Sequence, residues 1–312
     1  MRAIIFPGQG SQKVGMGADL ADASAAARET FEQVDDALNQ KLFTLMREGP
    51  DAELTLTSNA QPAIMANAIA TLRVLEKDFG VKLKDAATCV AGHSLGEYTA
   101  LCAVNAFALG DTAKLLRLRG IAMQDAVPIG VGGMAALLGS DIETAQKLAD
   151  EAAQGQVCEI ANDNDPSQVV LSGHLEAIDR AIEMAKDFGV KRAVKIQVSA
   201  PFHCSLMKPA AQRMKLALEN TPPSAMDLPL YANVTAAKVA DSDEEKALLV
   251  DQITGRVRWR ESVLAMRKDG VEHFVELGGK VLGPMVGRTD KEAKVTSAIT
   301  MEDLEALAKE LT

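Results

Sequence analysis

Apolar residues occur along this chain in two alternating rhythms. Short unbroken runs closed by glycine or proline read as buried strands: Ala3–Phe6 runs into Pro7-Gly8, and Thr88-Cys89-Val90-Ala91 runs into Gly92. Elsewhere apolar positions recur at helical spacing. Phe31, Val34 and Leu38 form one such set, and Ser58 stands before a periodic stretch from Pro62 to Phe79 with Pro62 in its first turn. A helix is expected from Glu97 to Val104, and another, capped by Asp111, to about Val127.

The middle of the chain changes character. Residues 134–138, 157–161, 168–172 and 192–198 read as strands, and 141–153 and 175–187 as helices, in the order βαββαβ. A ferredoxin-like unit has this order, with an antiparallel sheet and two helices on one face. Pro128-Ile129-Gly130 and Ser199-Ala200-Pro201 flank it, so residues 130–198 are expected to form an inserted small domain. Afterwards alternation resumes, with a helix from about Leu206 to Glu219 and a strand at Leu230–Ala232. A Ser242-to-Glu245 capping box opens a further helix, and strands follow at His273–Leu277 and Val295–Ala298. Thr300 with Asp303 opens the last helix. The expected architecture is α/β, with 1–129 and 199–312 building a large hydrolase-like domain on a mostly parallel sheet.

Composition narrows the functional classes. The chain has 47% hydrophobic and 24% charged residues, as an ordinary globular protein does. A formal charge of −10 without a Lys/Arg block argues against nucleic acid or an anionic membrane as partner. Met1–Phe6 meets Pro7-Gly8 at once and lacks the shape of a signal segment, and no apolar run would span a bilayer. Cys89, Cys102, Cys158 and Cys204 are scattered without C-x-x-C spacing, so neither a disulfide framework nor a metal site is expected. These features together suit the reducing cytoplasm.

Candidate chemistry begins at Gly92-His93-Ser94-Leu95-Gly96, which fits G-x-S-x-G. Three fixed positions give about 0.1 chance matches in a chain of this length, so context must decide. Here a strand precedes the motif and a helix follows it. That places Ser94 as a nucleophile at a helix N-terminus, where the backbone N–H of Leu95 can meet a developing oxyanion. A base must come from four histidines. His93 is adjacent and diverges from Ser94, His174 opens a small-domain helix as a solvated first-turn residue, and His273 shares a strand face with Val271 and Val275 as a core histidine. His203 remains, in the loop where the domains rejoin. On the helix from Asp111, Arg119 falls on the apolar side between Leu115, Ala122 and Met123. A buried guanidinium needs an anion, either an internal carboxylate or that of a substrate.

Four segments together resemble a known family. Phe6-Pro7-Gly8-Gln9-Gly10-Ser11-Gln12, Gly92-His93-Ser94-Leu95-Gly96-Glu97-Tyr98, Arg117-Leu118-Arg119-Gly120 and Ala200-Pro201-Phe202-His203-Cys204-Ser205-Leu206-Met207 are similar to the malonyl-CoA:acyl carrier protein transacylases (S-malonyltransferases). The resemblance runs nearly end to end. It implies a ping-pong acyltransferase of fatty acid biosynthesis, in which Ser94 carries the malonyl group, His203 is the base and Arg119 clamps the malonyl carboxylate. It also implies an oxyanion hole from the backbone N–H groups of Gln9 and Leu95, and a main-chain carbonyl of Gln252 holding the His203 imidazole. Met123 and Phe202 join the substrate-binding set, and Asn162 and Asn164 resemble a small-domain loop bordering the cleft. No tightly bound cofactor is implied; malonyl-CoA is a substrate, and acidic acyl carrier protein docks transiently. Departures occur at Gly255-Arg256 and at Glu276-Leu277-Gly278-Gly279-Lys280, where the loop geometry is expected to differ.

Two other readings compete. A serine esterase or thioesterase with the same turn requires a buried Asp or Glu behind His203 and an apolar acyl pocket, and Arg119 speaks against it. A dinucleotide-binding protein would use Gly130-Val131-Gly132-Gly133-Met134-Ala135, but that stretch follows a helix and opens a strand, the reverse of the required order. Lys186, Lys191, Arg192 and Lys195 cluster in sequence, as a carrier-docking patch or as a solvated helix end.

Overall fold

Ten strands among the described residues form two sheets. The structure, a computed structural model, describes residues 1–198 and 200–311; the junction expected at Ser199 and the terminal Thr312 lie outside the described residues. Along the chain the strands are β1 Arg2–Phe6, β2 Cys89–Gly92, β3 Gly132–Leu138, β4 Cys158–Asp165, β5 Gln168–His174, β6 Arg192–Lys195, β7 Leu230–Tyr231, β8 Lys238–Val239, β9 His273–Leu277 and β10 Lys294–Ala298. The larger sheet runs β10-β9-β1-β2-β7-β8 and is parallel except for β8 at its edge.

Unbroken apolar runs belong in a sheet covered on both faces, and β1 and β2 lie at its centre. Ile4, Phe6 and Val90 point into the main core, built largely from the Ala25–Leu38, Thr57–Lys77 and Leu109–Asp125 helices. Ala3, Ile5, Cys89 and Ala91 point the other way, against Trp259, Val263 and Met266 of the Trp259–Lys268 helix. All four cysteines are free and buried, and no helix among the described residues is long and apolar enough to cross a membrane.

The smaller sheet runs β4-β5-β3-β6, antiparallel throughout, which is the ferredoxin-like order of a βαββαβ segment. One face packs on the Ile142–Ala153 and Leu175–Met184 helices through Ala135, Leu137, Leu148 and Ile178. The other turns Met134, Ala161 and Val170 toward the main core.

Several local expectations shift. The Thr57–Lys77 helix starts before Ser58, and Pro62 lies inside it rather than in its first turn. Sixteen of its 21 residues are buried, so packing outweighs the one helical hydrogen bond that proline forgoes. Asp111 is inside the Leu109–Asp125 helix, whose N-cap is Ala108. Asp241, not Ser242, caps the Ser242–Thr254 helix, accepting from the Asp243 and Glu244 amides, and Glu245 is thereby turned inward. His174 is not a solvated first-turn residue: it caps its helix, and Nδ1 accepts from Val157 N at 2.9 Å. The Trp259–Lys268 and Leu282–Thr289 helices, with the short β8, have no counterpart in the sequence expectations.

The largest correction concerns 162–165. These residues are strand, not loop, and Asn162, Asp163, Asn164 and Asp165 are all buried. Two register shifts in the β4–β5 pairing and an isolated bridge from Asn162 to Val257 accommodate the run. The two carboxylates are met across the junction between the sheets, Asp163 by a bidentate Arg260 and Asp165 by Arg288. Removing Arg260 strands a carboxylate that is 1% exposed, whereas the arginine itself is 24% exposed. Arg260→Met is therefore expected to lower the unfolding free energy by about 2–4 kcal/mol, read from urea titrations beside an Asp163→Asn variant that removes the charge as well.

Candidate active site

The turn after β2 is forced by two close backbone approaches. A Cβ on Gly92 would lie 1.9 Å from the Gly96 carbonyl oxygen, and one on Gly96 would lie 2.3 Å from that of Phe6. Only glycine fits at either place. Ser94, between them, has φ 54° and ψ −110°, a conformation costing a non-glycine residue about 1–3 kcal/mol. Hydrogen bonds hold it there. Ser94 N donates to Asn233 Oδ1 at 2.7 Å, Gln252 Nε2 donates to the Ser94 carbonyl at 3.0 Å, and Asn233 Nδ2 ties down the Gly92 carbonyl at 2.7 Å. The Leu95–Ala103 helix starts next, so the Leu95 N–H has no intrahelical partner.

Ser94 Oγ lies 2.7 Å from His203 Nε2, and His203 Nδ1 lies 2.9 Å from the Gln252 main-chain oxygen. A carbonyl only accepts, so Nδ1 carries the proton and the Nε2 lone pair faces the serine hydroxyl. His203 is buried and also sits at positive φ, 57°. Burial first, and then the Arg119 charge, pull its pKa down to about 3, which keeps the imidazole neutral in the resting site. His93 is held low mainly by burial; its Nε2 meets Asn164 Oδ1 at 2.8 Å.

Arg119 is 1% exposed, and among the described residues no carboxylate forms an ion pair with it. It donates instead to Gln61 Oε1 at 2.8 Å, Gln252 Oε1 at 2.8 Å and Ser94 Oγ at 3.1 Å, and lies over the Tyr98 ring at 5.6 Å. Burial lowers its pKa, partly offset by Tyr98 and Glu97. Of the two anions that could have justified this arginine, the internal one is therefore not in contact with it.

The groups open onto a cleft of about 210 Å³ between the two sheets. Gln9, Leu95, Met123, Asn162 and Phe202 line it with Ser94, Arg119 and His203, and Met134 and Ile196 form the small-sheet side. Asn164 is not in the lining; its side chain is used on His93 and Gln168. Gln252 sits behind the cleft, fully buried. Sequence reading missed Gln61, Asn233, Glu97 and Glu245. Gln61 could have been found as a polar residue inside an apolar helical stretch, whereas the other three are recognised only by what they touch.

Chemically, the arrangement offers a hydroxyl on a strained turn, a neutral imidazole to take its proton, and a caged cation one hydrogen bond away. Among the described residues no carboxylate stands behind the histidine, as a hydrolase triad would have it.

Residues 3–294 match the acyl transferase domain. The chain belongs to the acyl transferase family. It is 40% identical over 305 residues to the malonyl CoA-acyl carrier protein transacylase of Bacillus subtilis (strain 168), covering 97% of this chain and 95% of the relative. The protein of that name from Escherichia coli (strain K12) is 40% identical over 310 residues, 99% and 98% of the two chains. Among solved acyltransferase structures, the acyl-carrier-protein S-malonyltransferase of Bartonella henselae superposes with a TM-score of 0.97 at 47% identity, covering 99% of each chain. A type II PKS acyl-carrier protein bound to its malonyl-transacylase includes a chain similar to this one, with a TM-score of 0.95 at 37% identity and coverage of 99% of each.

His203 also links the acyltransferase site to stability. Its pKa is lower in the folded chain than the ordinary histidine value, so the unfolded chain binds the extra proton first and stability falls as pH drops from about 6.5 toward about 3. His203→Gln removes this dependence. Its melting temperature is expected to fall less than that of the wild type across that window, as followed by circular dichroism.

Proposed function

We propose that this acyltransferase moves malonyl from malonyl-CoA to the phosphopantetheine thiol of acyl carrier protein, in fatty acid biosynthesis in the cytoplasm, through an ester on Ser94. The observation that carries the reading is Arg119: a guanidinium sealed from water, without a carboxylate of its own, and 3.1 Å from the serine oxygen. A simple acyl chain has no use for that charge. A half-thioester of a dicarboxylic acid does, since its free carboxylate can take the planar two-point contact of the guanidinium.

His203 Nε2 takes the Ser94 proton as Oγ bonds to the thioester carbonyl carbon. The resulting oxyanion is received by the backbone N–H groups of Gln9 and Leu95. Collapse breaks the carbon–sulfur bond, His203 returns its proton to the CoA sulfur, and malonyl-Ser94 remains. The carrier thiol then repeats the sequence in reverse. The malonyl carboxylate has a second effect. By neutralising Arg119 it removes the largest influence after burial that holds His203 below its ordinary range, so the correct substrate strengthens its own base. Gln252 supplies a neutral carbonyl to orient the imidazole. Phe202 and Met123 bound the acyl pocket, with Asn162 on the small-sheet side.

We further propose that 130–198 is an inserted unit between the halves 1–129 and 199–312. It has its own core, and it closes the cleft with Met134 and Ile196. Lys186, Lys191 and Arg192 on its rim are exposed, and Lys195 pairs with Asp179, which leaves a basic edge for an acidic carrier protein.

Incubation with malonyl-CoA alone, followed by digestion and mass spectrometry, is expected to place a malonyl adduct on the peptide containing Ser94; its absence removes the reading. Arg119→Ala is expected to lower kcat/KM for malonyl transfer by about 100-fold or more while acetyl transfer is kept or raised, whereas equal losses with both donors make the arginine structural.

A further inference from the structure

Behind the elbow, away from the cleft, two carboxyl side chains face each other in the core. Glu97 is on the Leu95–Ala103 helix and Glu245 on the Ser242–Thr254 helix, and both are fully buried. Glu97 Oε2 accepts from Gln252 Nε2 at 2.7 Å and from Asn233 N at 3.1 Å. The remaining three oxygens, Glu97 Oε1 and both of Glu245, have no donor on any other described residue. The two carboxyls lie close enough to act on each other directly.

Two ionised carboxylates cannot share such a contact, and a buried carboxylate without a donor is costly. One proton between them satisfies both conditions. We propose that Glu97 and Glu245 hold a single shared proton and act as a positioning pair for the proposed acyl transfer, fixing Asn233 and Gln252 and, through them, Ser94, His203 and Arg119. This inference rests on the function proposed above.

The connections are short. Asn233, held by Glu97 through its backbone N–H, receives the Ser94 amide and binds the Gly92 carbonyl. Gln252 is more constrained still. Its Nε2 faces the Glu97 carboxylate, so its Oε1 must face Arg119, and its main-chain oxygen holds His203 Nδ1. A reversed amide would set N–H against guanidinium and carbonyl against carboxylate. The charge on Glu97 therefore decides which end of Gln252 the arginine meets. With one proton on the pair, its single negative charge balances Arg119 while the acyl pocket is empty. With none, a second negative charge would oppose the substrate carboxylate.

The groups facing the pair fit this account. Tyr98 approaches from the helix of Glu97, Arg119 from the Leu109–Asp125 helix, and Glu244 from the helix of Glu245 itself. The Lys208–Glu219 helix presents Ala210, Met214 and Leu218 inward, the turn before it presents Met207, and β8 presents Val239. Burial raises both carboxyls, and the neighbouring Glu97 charge raises Glu245 further.

The test reads the proton and the positioning separately. A carboxyl raised in the folded chain binds a proton that the unfolded chain has released, so it removes stability as pH rises above the ordinary glutamate range. Glu245→Gln has no such proton. Its melting temperature relative to wild type is expected to climb steadily from about pH 5 to about pH 8, and a constant difference overturns the shared proton. For positioning, Glu245→Leu is expected to lower kcat for malonyl transfer by about tenfold or more, and Glu245→Gln, whose amide can still donate to Glu97, to restore it to within about threefold of wild type. Equal losses in both variants, or none in Glu245→Leu, overturn the positioning role. If Glu245→Leu does not fold, the melting comparison of Glu245→Gln decides. Wild type that forms no malonyl adduct on Ser94 refutes the proposed function instead, and the melting comparison is independent of that result.

Discussion

Everything in the site depends on one backbone turn that carries Ser94 from a parallel strand into a helix. The turn exists because the chain passes itself at less than a side chain's width, at Gly92 against Gly96 and at Gly96 against Phe6. It is held by side chains from two distant segments, Asn233 and Gln252, which grip the serine through its own amide and carbonyl. A strained residue persists only where its surroundings over-determine it, and here four separate backbone or side-chain groups do so.

Charge is the second constraint, and it follows from the first. The carboxyl end of a parallel sheet is where α/β folds leave a crevice for a ligand, and the elbow opens there. Around it stand a guanidinium, two carboxyls and two histidines, of which His93 is half-buried and the others are buried. Such a group of charges survives in a low dielectric only by matching sign to sign or by giving up a proton. The imidazoles stay neutral, and Arg119 reaches the acidic pair only through the amide of Gln252. What the arrangement lacks is an anion in direct contact with the guanidinium. That unfilled preference is the physical basis for proposing a carboxylated acyl group.

The second sheet turns this surface into a cleft. Its position against the first is set by polar contacts unusual for a strand: Asp163 and Asp165 reach across to Arg260 and Arg288, and β4 bridges to Val257. Asn164 extends the same strand to His93, next to the elbow. Met134 of the small sheet and Ile196 just beyond it thus line the cleft with Ser94, while the sheet is held by ion pairs outside the cleft.

Most strand positions, the elbow and the βαββαβ segment were legible in the sequence because each is local. An unbroken apolar run before a glycine, a serine between two glycines, and a change of period are signals carried within a few residues. Arg119 was legible for the same reason, since a helical wheel needs only the helix. Caps were misplaced by a residue or more at Ser58, Asp111 and Ser242, because several polar side chains near a helix start can serve and only packing chooses among them. Asn162 and Asn164 were expected in a loop on the resemblance alone, and no local pattern extended the strand through them, because the buried polarity of 162–165 is compensated in part by arginines about a hundred residues away. Gln61, Asn233, Glu97 and Glu245 carried no signal as a set: their meaning is a pattern of hydrogen bonds among four segments, and that pattern exists only once the helices and both sheets have packed. The sequence by itself determined which residues are candidates for reactive chemistry and on what elements most of them stand; the tertiary structure alone decided which of them meet, because contact between distant segments depends on packing that no local pattern encodes.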